Sequence, residues 1–117
     1  MKKKEIVKKT WEFDDIIKNG KCIKNRYFII HTKDNDSLYS RYGISVSKKI
    51  GNAVTRNYYK RKIRSIIDNY KKQYNNKTDY IIILRKAALD LSHEQLQQEF
   101  LNLICKKGSK NNEQENK

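Results

Sequence analysis

The sequence has few cysteines and no long apolar run. Cys22 and Cys105 are far apart and form no CxxC pair, and His31 and His93 stand at no zinc-ligand spacing from them. We therefore expect two reduced, partly buried thiols and no zinc site. No apolar stretch approaches the roughly 20 residues needed to span a bilayer. None follows the basic N-terminal residues as it would in a secretory signal, so we expect a cytoplasmic protein.

Acidic residues are scarce, and the middle of the chain has none. The 117 residues include 27 Lys and Arg against 13 Asp and Glu, which gives a net charge of +14. No acidic residue lies between Ser37 and Ile67, and three of the six arginines lie between positions 56 and 64. Such a cluster indicates a face that binds a polyanion, whereas a general excess of lysine would be spread along the chain.

No recognisable catalytic group is present either. The two histidines belong to separate predicted elements, and Asp34 and Asp36 belong to a polar turn. The sequence contains no Gly-rich phosphate loop and no Ser/His/Asp set. Hydrolysis of RNA by a protein usually needs paired acid–base groups or carboxylates that hold a metal. We expect no catalytic residue and no metal site in this chain.

The length suits one domain with one core. In the N-terminal half, the sequence predicts a helix followed by extended segments. We predict a helix over Trp11–Lys18 with Thr10 as its cap, an extended segment over Lys21–Thr32, and a strand over Arg41–Ser47. The last two should form an antiparallel hairpin.

The C-terminal half continues with a helix over Ala53–Tyr70, a buried strand over Tyr80–Leu84, and a last helix. Ser92 and Gln95 form a capping-box pattern at the start of that helix. Its apolar stripe consists of Leu96, Phe100, Leu103 and Ile104. The prediction is an α+β domain over residues 1–107 with a disordered polar tail over 108–117.

The predicted helix Ala53–Tyr70 has two contrasting faces. At 100° per residue, an arc of roughly 100° suited to core packing holds Tyr59, Ile63, Ile66, Ile67 and Tyr70. An adjacent arc of roughly 140° holds Arg56, Asn57, Lys60, Arg61 and Arg64. The clustered cations repel one another, and no acidic side chain on this face relieves the repulsion. The pattern favours a phosphate-rich partner, which the planar fork of arginine suits.

Composition alone leaves several nucleic-acid binders open. A structural RNA-binding protein such as a ribosomal protein fits the size and charge, and so does a DNA-binding protein that uses the long helix in a major groove. A DNA-binding protein would be expected to have a helix-turn-helix pattern or a dimer-forming surface, and the sequence shows neither.

The ordered motifs resemble the protein subunit of bacterial ribonuclease P. The similar segments are Arg56-Asn57, Lys60-Arg61 and Arg64, the preceding Gly43–Val54, Asn25-Arg26, Phe28, and Asp79–Lys86. The resemblance covers about residues 8 to 105. It implies an αβββαβα fold with a four-stranded sheet and a left-handed βαβ crossover, which is against the usual hand.

The resemblance also implies a function. The chain would be the subunit of a ribonucleoprotein endonuclease that matures the 5′ ends of tRNAs, monomeric within the particle, with no membrane or small-molecule partner. The catalytic RNA would carry the chemistry with Mg²⁺, and the protein would bind that RNA and the 5′ leader of precursor tRNA. The residues that bind the catalytic RNA would be Arg56, Asn57, Lys60, Arg61 and Arg64. The leader cleft would comprise Phe13, Ile17, Phe28, His31, Lys48, Lys49, Arg85 and Lys86. Two positions depart from the family pattern. An aromatic residue is frequent at the position of Ile17, and tyrosine is frequent at the position of His31.

Overall fold

The computed structural model describes residues 6–7, 9–35, 40–70 and 77–109. Its elements are α1 (Thr10–Asn19), β1 (Lys21–Lys24), β2 (Phe28–Asp34), β3 (Arg41–Ser45), α2 (Ala53–Tyr70), β4 (Thr78–Leu84), a short 3-10 helix (Lys86–Asp90) and α3 (His93–Ser109). The predicted αβββαβα order is confirmed. α3 continues two residues past the predicted domain end at 107, and the rest of the predicted tail, 110–117, lies outside the described residues.

The four strands form one mixed sheet in the order β1-β2-β4-β3. β1 and β2 form the antiparallel hairpin, β4 pairs antiparallel with β2, and β3 runs parallel to β4. The predicted hairpin between the extended segment and Arg41–Ser47 is therefore wrong, because β4 lies between β2 and β3. Six of the seven β4 residues are buried, which suits a central strand covered on both faces. α2 connects the parallel pair β3 and β4, and the left-handed sense of this crossover stays a prediction.

The two faces of the sheet carry different helices. Side chains alternate along β2, so Phe28 and Ile30 lie on one face while Ile29 and His31 lie on the other. α2 and α3 cover the first face, which we call the α2/α3 face, and form the main core with it. α1 covers part of the second, the α1 face, through a smaller cluster of Val7, Ile16 and Ile81.

Side-chain hydrogen bonds define where the helices begin. Ser92 Oγ accepts from the Gln95 amide at 3.2 Å, and Gln95 Oε1 accepts from the Ser92 amide at 2.9 Å, which confirms the predicted capping box. The predicted stripe of α3 is confirmed too, since all four of its residues are buried. The predicted Thr10 cap is wrong by one residue. Lys9 precedes α1, and its amide donates to the Glu12 carboxylate at 3.3 Å.

Candidate nucleic-acid interface

The apolar stripe of α2 fixes the orientation of this helix on the sheet. Ile63, Ile66 and Ile67 are fully buried in the main core, and Tyr59 packs against it while partly exposed. The side chain of Tyr70 lies outside the described part of the structure. The core stripe is thus confirmed at the positions that can be seen, and the adjacent arc must face away from the sheet.

That adjacent arc is the α2 cationic face, defined by Arg56, Asn57, Lys60, Arg61 and Arg64. Asn57, Arg61 and Arg64 are exposed, and Arg56 and Lys60 are half-buried. None of its four cationic side chains forms an ion pair with a described residue. The first turn of α2 contains no acidic residue, so the positive end of the helix dipole adds to the same potential.

Asn52 begins this helix and keeps its first turn in place. The Asn52 side-chain oxygen accepts from the Thr55 amide at 3.0 Å, and its carbonyl accepts from the Arg56 amide at 2.9 Å. This is the bonding of an N-cap residue. The cap holds Arg56 and its neighbours in a regular helix although nearby cations repel one another.

Arg41 behaves differently, although it lies in the same acid-free stretch of sequence. Its guanidinium donates to Asp79 from Nε at 3.0 Å and from Nη2 at 2.7 Å, and to Glu12 from Nη1 at 2.8 Å. The hydrogen bonds to Asp79, and then that to Glu12, raise the pKa of Arg41. This cation joins α1 to β3 and β4, so it is not available to a partner.

Beside α1, part of the α1 face carries side chains that are only half-buried. The Phe13 ring packs over Gly43, where an added Cβ would lie 2.7 Å from Phe13 Cζ and 2.8 Å from Ile81 Cδ1. Glycine at this position therefore lets the ring approach the sheet. Phe13 remains partly exposed, and Ile17, one turn later, is 41% exposed.

Two further residues of this face are not among those predicted for the leader cleft. Ile29 of β2 lies directly opposite Ile83 of β4, and both are half-buried on the α1 face. We call Phe13, Ile17, Ile29, His31 and Ile83 the α1 cleft. Strand alternation was the available signal, because Ile29 is two residues from His31 and must share its face.

His31 has an unusual environment in this cleft. Its Nδ1 atom is buried and has no hydrogen-bond partner among the described residues, and burial lowers the pKa of the ring. Arg56 Nε, on the other side of the sheet, is the second such atom in the described structure. Buried polar atoms are normally satisfied, so each of the two surfaces contains one polar atom that no described residue satisfies.

Four further cations emerge at one edge of the sheet. β3 and β4 are parallel and in register, with Ser45 opposite Ile83, so their carboxyl ends meet at this edge. The exposed residues that follow the two strands are Lys48, Lys49, Arg85 and Lys86, which we call the basic edge. Arg85 Nη1 donates to the Asn25 carbonyl at 3.1 Å. α2 begins after the same edge. The basic edge therefore adjoins both the α1 cleft and the α2 cationic face.

The sequence model of the family described as Ribonuclease P matches residues 1–108. The chain belongs to this family. It is 49% identical over 105 residues to the ribonuclease P protein component of Mycoplasma mycoides, which covers 89% of this chain and 96% of that protein.

Solved structures of ribonuclease P proteins share the fold. A Staphylococcus aureus RNase P protein mutant with defective mRNA degradation activity superposes with a TM-score of 0.83 at 37% identity, covering 91% of this chain and 90% of that one. The RNase P protein from Thermotoga maritima gives 0.79 at 32% identity, covering 85% and 94%. The predicted family, fold class and role as the protein subunit of ribonuclease P, an endoribonuclease of tRNA processing, are confirmed.

One residue transferred from the family resemblance is misplaced. Phe28 was predicted to line the leader cleft, but it is 0% exposed on the α2/α3 face, with its ring 5.6 Å from that of Phe100 in an edge contact. Phe28 and His31 are three positions apart, so strand alternation puts the two on opposite faces. Phe28 is therefore a core residue of this chain and does not lie on the α1 face.

The remaining structural findings concern metals, membranes and the cysteines. In the described parts of the chain no three His, Cys, Asp or Glu residues are grouped to hold a metal ion. No described helix is long and apolar enough to cross a membrane. Cys22 is free and exposed rather than partly buried as predicted, because it lies on the short edge strand β1.

Proposed function

We propose that this chain binds ribonuclease P RNA through the α2 cationic face and holds the 5′ leader of precursor tRNA in the α1 cleft. The observation that carries the proposal is how the cations are distributed. Lys33 and Arg41, on the α1 face, are neutralised by Asp15, Glu12 and Asp79. The cations of α2 have no such partner among the described residues and remain available to an external polyanion.

The chemistry of α2 suits a folded RNA. Four unneutralised cations on adjacent turns raise the free energy of the isolated protein by mutual repulsion, and phosphates would relieve it. Arginine binds phosphate through two parallel donors. The amide of Asn57 can donate and accept, so it can contact a base edge or a 2′-hydroxyl.

The α1 cleft suits an unpaired strand. The Phe13 ring and the half-buried Ile29 and Ile83 offer apolar contact to bases of any identity, and His31 Nδ1 offers an unused polar atom. Such a site tolerates differences in sequence, as leaders of different tRNAs require. Ile17 gives apolar contact without stacking.

The sheet separates the two surfaces, so both can be occupied at once. The basic edge lies at the carboxyl ends of β3 and β4, next to both surfaces. Its cations can contact the phosphates of either RNA there. The hydrolytic chemistry and the Mg²⁺ that it needs belong to the RNA subunit in this proposal. The protein acts as a single copy within the cytoplasmic particle, where it positions the substrate.

The first experiment tests the α2 cationic face by filter binding of a transcribed ribonuclease P RNA at several salt concentrations. Arg56→Ala and Arg64→Ala should each weaken binding, and each should make the slope of log K against log salt shallower by roughly 0.7–0.9 per lost phosphate contact. Lys18→Ala is the matched control, since Lys18 is an exposed cation on α1. Equal losses at all three positions would indicate generic charge attraction and contradict the proposal.

The second experiment tests the cleft in the reconstituted holoenzyme. Phe13→Ala should weaken binding of precursor tRNA by an amount typical of one stacked base, about 1–3 kcal/mol, and should leave mature tRNA nearly unaffected. The ratio of the two dissociation constants is the measurement, with folding checked by circular dichroism. If both affinities fall together with thermal stability, Phe13 acts only as a packing residue.

A further inference from the structure

An apolar strip lies on the exposed side of α2, beside the cationic face. Val54 is 76% exposed and Tyr58 is 47% exposed. The two are four residues apart, so their side chains lie one above the other on the first two turns. Only Trp11 and Ile17 are also large, apolar and exposed among the described residues, and both are on α1.

Cations border this strip on both sides. Rotation by 100° per residue places Arg61 about 60° to one side of Tyr58 and Lys62 about 40° to the other. Lys62 Nζ lies 4.7 Å from the centroid of the Tyr58 ring and 5.7 Å from that of Tyr59. Basic side chains therefore flank an aromatic ring that is itself nearly half exposed.

The ring of Tyr58 is held in position before any partner arrives. The Tyr59 ring meets it at 5.2 Å between centroids and 79° between planes, and Tyr59 is anchored against the main core. Lys62 lies over the ring, and the 47% of the side chain that is exposed can meet a planar partner. A preorganised ring loses little conformational entropy when it binds.

We propose that Val54 and Tyr58 form a stacking site for an unpaired base of ribonuclease P RNA, whose flanking phosphates contact Arg61 and Lys62. This inference rests on the proposed function and extends it, since phosphate contacts alone would not use an apolar strip. Charge selects the occupant. No acidic residue occurs from Ala53 to Ile67 and the chain carries a net charge of +14, so a second copy would be repelled while a polyanion with flat apolar bases is attracted.

Salt dependence separates stacking from charge in a binding test with transcribed ribonuclease P RNA. Tyr58→Ala should weaken binding by about 5- to 100-fold and leave the salt slope unchanged, because stacking releases no counterions. Tyr58→Phe should bind like the wild type. Arg61→Gln, the matched neighbour, should instead make the slope shallower by roughly 0.7–0.9.

The outcomes distinguish this inference from the proposed function. Unchanged affinity of Tyr58→Ala, with Arg56→Ala weakened, would overturn the stacking site and leave the proposed function intact. Failure of the wild-type chain to bind the RNA would overturn both. A dimer at micromolar concentration that Tyr58→Ala dissociates, with RNA affinity unchanged, would assign the strip to self-association.

Fluorescence gives a direct readout of stacking that is independent of affinity. The chain has a single tryptophan, so Trp11→Phe/Tyr58→Trp reports only from position 58. RNA binding should quench this signal. The control is Trp11→Phe/Asn69→Trp, in which the exposed probe lies about 16 Å further along α2 and about 20° around it. Equal quenching at both positions, or none at position 58, would refute a stacked base.

Discussion

Replacement of Arg41 by methionine tests whether one partly buried ion-pair network holds α1 on the sheet. Methionine keeps much of the length of the side chain and removes its charge and donors. The change leaves the Asp79 carboxylate, whose side chain is 7% exposed, without its two bonds from the guanidinium. The Asn35 amide would still donate to it at 2.6 Å.

The magnitude follows from the burial of the partners. Removing one member of a fully buried pair costs about 3–5 kcal/mol. The Arg41 side chain is 25% exposed and that of Glu12 is 17% exposed, so we expect a loss of about 2–4 kcal/mol. For a domain of this size, such a loss lowers the midpoint of thermal unfolding by about 10–25 °C.

The assay is thermal and urea unfolding followed by circular dichroism. Arg41→Met/Asp79→Asn should recover part of the loss, because the second change removes the uncompensated charge. Lys33→Met is the control. It breaks the Lys33–Asp15 bridge, which also joins α1 to the sheet but whose side chains are 38% and 39% exposed, and it should leave the midpoint nearly unchanged. A loss below about 1 kcal/mol for Arg41→Met, the range of exposed pairs, would refute the reasoning.

Two further predictions concern the cleft. Gly43→Ala would place a Cβ 2.7 Å from Phe13 Cζ, so it should displace the ring and lower the free energy of unfolding by about 1–3 kcal/mol, measured by urea denaturation. Burial lowers the pKa of His31 below its ordinary value of 6.5. As the pH falls, the unfolded chain therefore binds a proton at this ring before the folded chain does. The free energy of unfolding should decrease as the pH drops below 6.5. Proton NMR titration of a His93→Gln variant should show a pKa below 6.5, and a pKa above it would contradict the burial.

The local features of the fold could be predicted from the residues themselves. Of the strand arrangement, only the parallel βαβ unit was implied, and that by the family resemblance. The bounds of α2, Ala53–Tyr70, agree with the prediction because one helix contains both an unbroken apolar stripe and a cationic face. The capping box at Ser92 depends on residues three apart. The insertion of β4 between β2 and β3 depends on contacts between distant segments, and neither a turn nor a periodicity signals it.

The same distinction applies to the site. The residues of α2 followed from helical rotation, and their exposure agrees with it. The cleft residues follow from the family resemblance, and the alternation of side chains along β2 excludes Phe28 from them. Ile29 and Ile83 were overlooked as parts of apolar runs. That Arg41 is neutralised internally could not be foreseen, because Glu12 and Asp79 are far from it in sequence.

The central position of β4 has a consequence for synthesis of the chain. β2 and β3 are complete early, but each pairs with β4 and not with the other, so both keep an unpaired edge until Leu84 has left the ribosome. The 50 residues from Asp34 to Leu84 take about 3–10 s to translate. During that interval the nascent chain exposes the unpaired edges of two apolar strands. The basic α2 segment follows β3 and is exposed before β4. A chain truncated before Thr78 would lack the strand that both β2 and β3 require, so the β1–β2 pair would be the only part of the described sheet left to form.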